Sequence, residues 1–364
     1  MKIKPDQNAV TMIQELSDAK APSGFEDEAV AVAKKYGAEF ADVEEDCLRN
    51  LYLRSKNNTG NKPVFMLDAH SDEVGLMVHS IKPNGTLRFV SLGGWSDNSL
   101  PASKVLVRNK YGKFIPGVIA AKPPHFMTPA ERQNSGSTSI QSLVIDIGAT
   151  SKEDAVENFG IRIGEPIISD VHFSYDEEHD VMIGKGFDCR IGCAALLETM
   201  RRLSDENLNV DLVGVLSTQE ELGERGVKVA VGKVAPQIAL CFEGCPADDT
   251  FTEPYAIQTA LKKGPMLRFM DKSIVCSPRY QRYVLDLAEE KGLAVQSSVR
   301  EGGGNNGAII NTSLDGIPVI VVGVPVRYIH SHYGITSYYD FEATVQFSNR
   351  MLFRSMTEEI IRSF

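Results

Sequence analysis

Residues 62–75 read KPVFMLDAHSDEVG. An apolar, strand-like run passes without a break into Asp68, His70, Asp72 and Glu73, four ionisable groups within six positions. A run like KPVFML belongs inside a sheet. A charge carried in with it is costly unless another group pairs with it or a metal ion neutralises it. Any fold that contains this stretch must therefore bring partners to it from elsewhere in the chain.

The remaining sequence has room to do so. At 364 residues, 43% hydrophobic and 24% charged, it can bury a large core and still carry a second domain or a sizeable insertion. Helices are predicted around AVTMIQELSDAK and after Ser23, where S-G-F-E has capping-box spacing to Glu26, and NLYLRS and KPVFMLD read as strands. Residues 73–165 change texture, with hairpin patterns around Asn84-Gly85 and Tyr111-Gly112. From residue 166 onward helices and strands alternate: CAALLETMRRLSD, VDLVGVLS, QIALCFEG, RYQRYVLDLAEEKG, IPVIVVGVP and a C-terminal helix from about Phe341. The pattern predicts an α/β fold with a mixed central sheet covered by helices, built discontinuously from 1–72 and 166–364 and interrupted by a β-rich, barrel-like insertion at 73–165.

Charge and cysteine usage narrow the function. With 38 Lys and Arg against 48 Asp and Glu the net charge is −10, and no block of like charges offers a footprint for nucleic acid or an anionic membrane. The N-terminal residues lack an apolar signal core and no run approaches the roughly 20 apolar residues of a membrane span, so a cytoplasmic protein is expected. Cys47, Cys189, Cys193, Cys241, Cys245 and Cys276 form neither a disulfide framework nor a C-x-x-C pair.

In open α/β sheets, ligands gather at the carboxyl ends of strands. His70 ends one predicted strand, Glu220 and Glu221 follow another, Glu243 ends a third and His330 follows a fourth, while Asp188 sits in a turn just before a helix. Each has a plainer reading taken alone, as a hydrogen-bonded structural His or a solvated Glu, and His79, His125, His172, His179 and His332 are read that way. The coincidence of the chosen residues at strand ends is what points to a metal site. Neighbouring side chains in extended backbone point to opposite sides, so one of Glu220 and Glu221 can bind metal while the other takes a proton from a metal-bound water. Two ions about 3.5–4 Å apart need a bridging carboxylate, for which Asp188 is placed. Nitrogen and oxygen donors suit zinc, cobalt or manganese.

Together, DAHSDEVG, GKGFDCRIGC, STQEELGERG, GGGNNGA and GVPVRYIHS, with APSGFE near the start and KPPHFM in the insertion, resemble the metallopeptidase family 42 aminopeptidases, which include glutamyl and tetrahedral aminopeptidases. The similarity runs over essentially the whole chain. It implies a phosphorylase/hydrolase-like di-metal exopeptidase fold, with 1–72 and 166–364 as the catalytic domain and 73–165 as a dimerisation and assembly domain. It also implies two divalent cations per subunit (Zn, Co or Mn), short peptide substrates with a free N-terminus, and a cytoplasmic homo-oligomer, a dodecamer built from dimers. Carried over by position, His70 and Glu243 would bind one ion, Glu221 and His330 the other, with Asp188 bridging. Glu220 would be the base acting on a metal-bridging water, and Asp72 would orient His70, since a metal-bound imidazole usually gives its other N–H to an acceptor. Four positions depart from the family pattern: Glu243 stands where Asp is frequent, Cys189 where Asp or Asn is usual, GGGNNGA in place of GGTDA or GGTNA, and HSHYG in place of HSPVE.

The reading this supports is a metal-dependent aminopeptidase. Its alternatives are a related di-metal amidohydrolase, such as a deacylase or carboxypeptidase, and an assembled binding protein with a degenerate site. An acidic substrate preference would need a basic side chain in the specificity pocket, for which Arg327 and Lys262 are considered without being placed there.

Overall fold

The alternating strands and helices assemble into an eight-stranded mixed sheet in a computed structural model that describes residues 4–133, 139–352 and 356–364. Its strand order is Ala41–Glu45, Leu51–Ser55, Asp211–Ser217, Val64–His70, Ile238–Pro246, Val319–Val326, Met266–Met270, Gln296–Val299. The four central strands are parallel, so their carboxyl ends share one edge. Register fixes their heights: Ser217 lies opposite His70 and Cys241 opposite Asp68. His70 and Glu243 each stand two residues beyond that last pair.

Both faces of the sheet are covered, which is why its central strands are largely apolar; Val319–Val326 is buried at every position. On one face Phe65, Leu67 and Leu240 pack with Leu196, Phe341 and Ile13 from the helices Phe187–Leu203, Tyr338–Leu352 and Gln7–Asp18. On the other, Met66, Val213 and Val321 pack with Val227 and Ile310 from Arg225–Val234 and Asn306–Asn311. The helix Phe187–Leu203 is buried on nearly all sides, as its position between layers requires.

The β-rich segment closes into a six-stranded barrel with its own core of Leu76, Phe89, Val107, Ile145 and Ile167. Pro166–Ser169, placed beyond the boundary at 165 by the sequence reading, pairs with Gly75–Ile81 and Lys104–Arg108 and completes the barrel. A short Pro-Ile-Ile-Ser run looks alike in either sheet, and closure of the barrel, a non-local property, decides where it goes.

Two further features depart from the sequence reading. The second helix starts at Asp27 with no side-chain cap. Ser23 instead donates its hydroxyl to the Asp72 carboxylate at 2.6 Å, a charged acceptor that outcompetes a capping bond. A three-stranded sheet of Ser174–Asp176, Val181–Gly184 and Gly334–Thr336 was not anticipated. Its pairing of Gly184 with Gly334 ties the approach to Asp188 to the loop that carries His330.

Gly244 lets the central sheet pass beneath the start of the helix Phe187–Leu203: a Cβ there would lie 2.2 Å from the Phe187 carbonyl oxygen and 2.9 Å from the Asp188 Cα. Gly244→Ala should therefore lower unfolding free energy in urea by about 1–3 kcal/mol or more, the cost of overpacking against backbone. Gly232, in the helix Arg225–Val234 with nothing within 4 Å of an added Cβ, should do the reverse, Gly232→Ala stabilising by about 0.5–1 kcal/mol.

Candidate metal centre

His70 and Glu243 lie within strands, whereas Glu220, Glu221 and His330 stand three or four residues past strand ends. The backbone turns them back: Gln219, Tyr328 and His330 take positive φ of 55°, 63° and 56°. Asp188 opens the helix Phe187–Leu203 in extended conformation (φ −83°, ψ 105°). These six residues, five expected at strand ends from the sequence and Asp188 in a turn before a helix, converge on one cleft of about 680 Å³.

Asp188 is the hub. Its Oδ1 lies 3.1 Å from His70 Nε2 and its Oδ2 3.3 Å from His330 Nε2. Around His70 Nε2 stand Glu243 Oε2 at 3.7 Å and Glu220 Oε2 at 3.9 Å, and Glu221 Oε1 is 3.6 Å from His330 Nε2. Donor atoms of Asp188, Glu221 and His330 lie within 4.8 Å of one another, as do those of His70, Glu220 and Glu221.

The next layer holds these groups in place. His70 Nδ1 faces the Asp72 backbone carbonyl at 3.2 Å and its carboxylate at 3.4 Å. The carboxylate itself accepts the Ser23 hydroxyl and the backbone N–H groups of Glu220 and Glu221, at 3.0 and 3.2 Å. Asp72 thus orients the glutamates as well as the imidazole. Glu26 accepts the Gln219 N–H at 3.1 Å, and burial pushes its carboxyl up to about 7. Asn306 donates to Asp68 at 2.7 Å and to Ser217 at 2.8 Å behind His70. Neither of these last two roles was read from the sequence, because a polar residue near a helix start carries no sign of its distant partner.

Burial and crowding of like charges set the electrostatics of the cleft. Burial, reinforced by neighbouring carboxylates, pushes Glu220 well above the usual carboxylate range and Glu221 and Glu243 up to about 8. Burial opposes protonation of His330, but Asp188 and Glu221 raise it to about 9; His70 is raised as well, against its own burial, by Glu220, Asp188 and Asp72. Glu221 Oε1 is buried and has no hydrogen-bond partner among the described residues. Two imidazoles, four carboxylates and an orphaned buried oxygen fit divalent cations.

The other histidines lie elsewhere. His332 is buried against Trp95, with ring centroids 5.0 Å apart, its Nδ1 2.7 Å from the Ser169 hydroxyl. Arg327 and Lys262 do not line the cleft: Arg327 forms a two-pronged pair with Asp249, and Lys262 donates to the His179 carbonyl. The basic groups of the cleft wall are Arg268 and Arg300. Their positions in a mid-sheet strand and a loop gave no sequence signal.

A family model for M42 glutamyl aminopeptidase matches residues 50–347. The glutamyl aminopeptidase of Lactococcus lactis subsp. cremoris is 32% identical over 353 residues, spanning 96% of this chain and 97% of its own. The structure of a TET aminopeptidase from a marine sediment archaeon of the Thaumarchaeota superposes with a TM-score of 0.93 at 33% identity, covering 98% of this chain and 99% of that one. The TET1 peptidase of Pyrococcus horikoshii, described as assembling into a tetrahedron or a large octahedral shell, gives 0.84 at 29% identity over 95% and 99%.

Asp72→Asn replaces an acceptor-only group with one that presents N–H to the donors of Glu220, Glu221 and Ser23. Competition with a chelating dye should show cation affinity falling about 10- to 100-fold, the usual cost of disturbing an outer partner of a metal site, with cooperative unfolding retained.

Proposed function

The chain belongs to the M42 glutamyl aminopeptidase family, and we propose that this metal-dependent aminopeptidase works with two divalent cations bridged by Asp188 and with Glu220 as the proton carrier. The observation that carries the reading is the placement of Asp188, each of whose oxygens faces a different histidine. On one side His70 and Glu243 complete a donor set, and on the other His330 and Glu221 do so. Zinc, cobalt or manganese in these sets would supply Lewis acidity and make water a nucleophile near neutral pH.

Glu220 lines the cleft beside His70, its Oε2 3.9 Å from the imidazole Nε2. In that position it accepts a proton from the attacking water as the water oxygen bonds to the scissile carbonyl carbon. It returns that proton to the leaving nitrogen as the C–N bond breaks. Asp72 fixes the backbone of Glu220 and holds the His70 ring in one orientation. Short peptides with a free N-terminus suit a cleft of this volume, open at the half-buried His330.

Assembly is part of the same reading. The barrel joins the other sheet at the cleft itself: a Cβ at Gly93 would lie 3.1 Å from Glu221 Oε2, and one at Gly94 3.2 Å from His330 Nδ1. The insertion supplies neither a metal ligand nor the base, and its outer face carries apolar side chains, Val90, Val118 and Ile163 among them, so we assign it to contact with further copies of this chain. No helix among the described residues is long and apolar enough to cross a membrane, and all six cysteines are unpaired, which supports the cytoplasm as its place.

The two glutamates separate the roles. Glu220→Gln should keep both cations and lose about 10²- to 10⁴-fold in kcat on an aminoacyl-anilide with little change in KM. Glu221→Gln should lose a cation, measured as metal per subunit. The reverse pattern would exchange their assignments, and a loss of less than about tenfold in both would place the chemistry elsewhere.

For the assembly, light scattering at micromolar concentration should give a mass near twelve subunits, or two if association stops at the dimer, and a fully active monomer would remove the role given to the barrel.

A further inference from the structure

We propose that the Cys189 sulfur is an additional ligand of the cation held by His70 and Glu243, biasing that half of the centre toward zinc and cobalt over manganese. The proposal rests on the reading of His70 and Glu243 as ligands.

Donor atoms of His70, Cys189 and Glu243 lie within 4.8 Å of one another, and all three side chains are buried. Cys189 is wholly enclosed, and its thiol donates to the Phe242 carbonyl at 3.3 Å. That bond uses the S–H proton and does not engage the sulfur lone pairs. Space for the sulfur is left by Gly192, where a Cβ would lie 2.5 Å from Cys189 Sγ and 3.2 Å from the Glu243 backbone nitrogen. Asp188 and Cys189 both leave helical φ and ψ, so the same departure from the helix that presents the bridging carboxylate also brings the thiol to the Glu243 strand.

The neighbouring thiols lack such a group. Cys193 likewise donates to a carbonyl, that of His70 at 3.0 Å, and Cys241 faces Asp68 at 3.7 Å and Glu243 Oε1 at 3.9 Å; neither forms a His-containing donor group among the described residues. Of the buried cysteines, Cys189 alone therefore shares a donor group with an imidazole and a carboxylate.

Sulfur is a soft donor that zinc and cobalt accept readily, while manganese favours oxygen. Coordination exchanges the S–H bond for a sulfur–metal bond, and the proton leaves to buffer.

The test is spectroscopic. The metal-free protein, loaded with cobalt(II), should show a near-ultraviolet sulfur-to-cobalt charge-transfer band that Cys193→Ser and Cys241→Ser retain and Cys189→Ser loses. Cys189→Ser should also lose zinc affinity by at least the about 10- to 100-fold that weaker, outer-layer changes cost, with manganese affinity less affected. If Cys189→Ser fails to fold, a band that survives substitution of each of the other five cysteines in turn, Cys245 on the cleft wall included, still assigns the sulfur by elimination. Wild-type protein that binds cobalt and cleaves an aminoacyl-anilide without any thiolate band overturns the role of Cys189 and leaves the aminopeptidase reading standing. Failure to bind cobalt at all overturns both.

Discussion

Asp188, Glu220, Glu221 and Glu243 meet two imidazoles in a space where none of the four carboxylates is freely solvated. Two like charges about 4 Å apart interact by about 4 kcal/mol at an effective dielectric of about 20, so four together cannot persist bare. Burial and mutual repulsion raise the three glutamates, and the carboxylates in turn raise both imidazoles. On the proposed reading, bound cations would turn the same negative charge into binding energy. The parallel sheet, the strained loops and the tightly bonded layer behind them all serve to bring this unfavourable set of charges together.

That layer is built mainly from side chains that satisfy loop backbone. Turning the chain back at Gln219 exposes N–H groups with no strand partner, and a buried N–H must find an acceptor. Glu26 takes that of Gln219, Asp72 those of Glu220 and Glu221, and Asn50 that of Thr218 at 2.9 Å. A second buried group, Glu73, pairs with Lys185 at 2.7 Å and with Arg190, whose guanidinium also donates to the Leu16 and Ala21 carbonyls. This locks the segment entering Asp188 against the first helix and the strand end that carries His70. Each ionisable group of residues 68–73 has its own partner or place: Asp68 pairs with Asn306, His70 faces the cleft, Asp72 braces the glutamate loop and Glu73 pairs with the buried Lys185 and Arg190.

How much of this was legible follows from the range of the interactions. Strands such as IPVIVVGVP and helices such as RYQRYVLDLAEEKG are visible because their period is local, and the parallel alternation placed His70 and Glu243 on one edge. Glu220, Glu221 and His330 were also read at that edge, though the turns that return them to it depend on positive φ at residues without any glycine signal. Ser23 was misassigned to a helix cap because its real partner, Asp72, is 49 residues away. The three-stranded sheet, the closing barrel strand and the arginines of the cleft wall share that cause. Each is fixed by a partner distant in sequence.

The two halves of the centre differ in access. His70 is sealed, its side chain 1% exposed, between strands and the helix Phe187–Leu203, whereas His330 is 39% exposed on a loop at the mouth. The walls at that mouth are trimmed of side chains: Gly94 approaches the His330 ring from the barrel, and Gly302, Gly303 and Gly304 border the cleft. Donor groups on the sealed side are shielded from water, while the glycines on the open side leave backbone-sized room beside His330. The sheet therefore fixes the His70 side, and the barrel meets the His330 side with glycine rather than with bulk, which on the proposed reading would set how closely a peptide approaches.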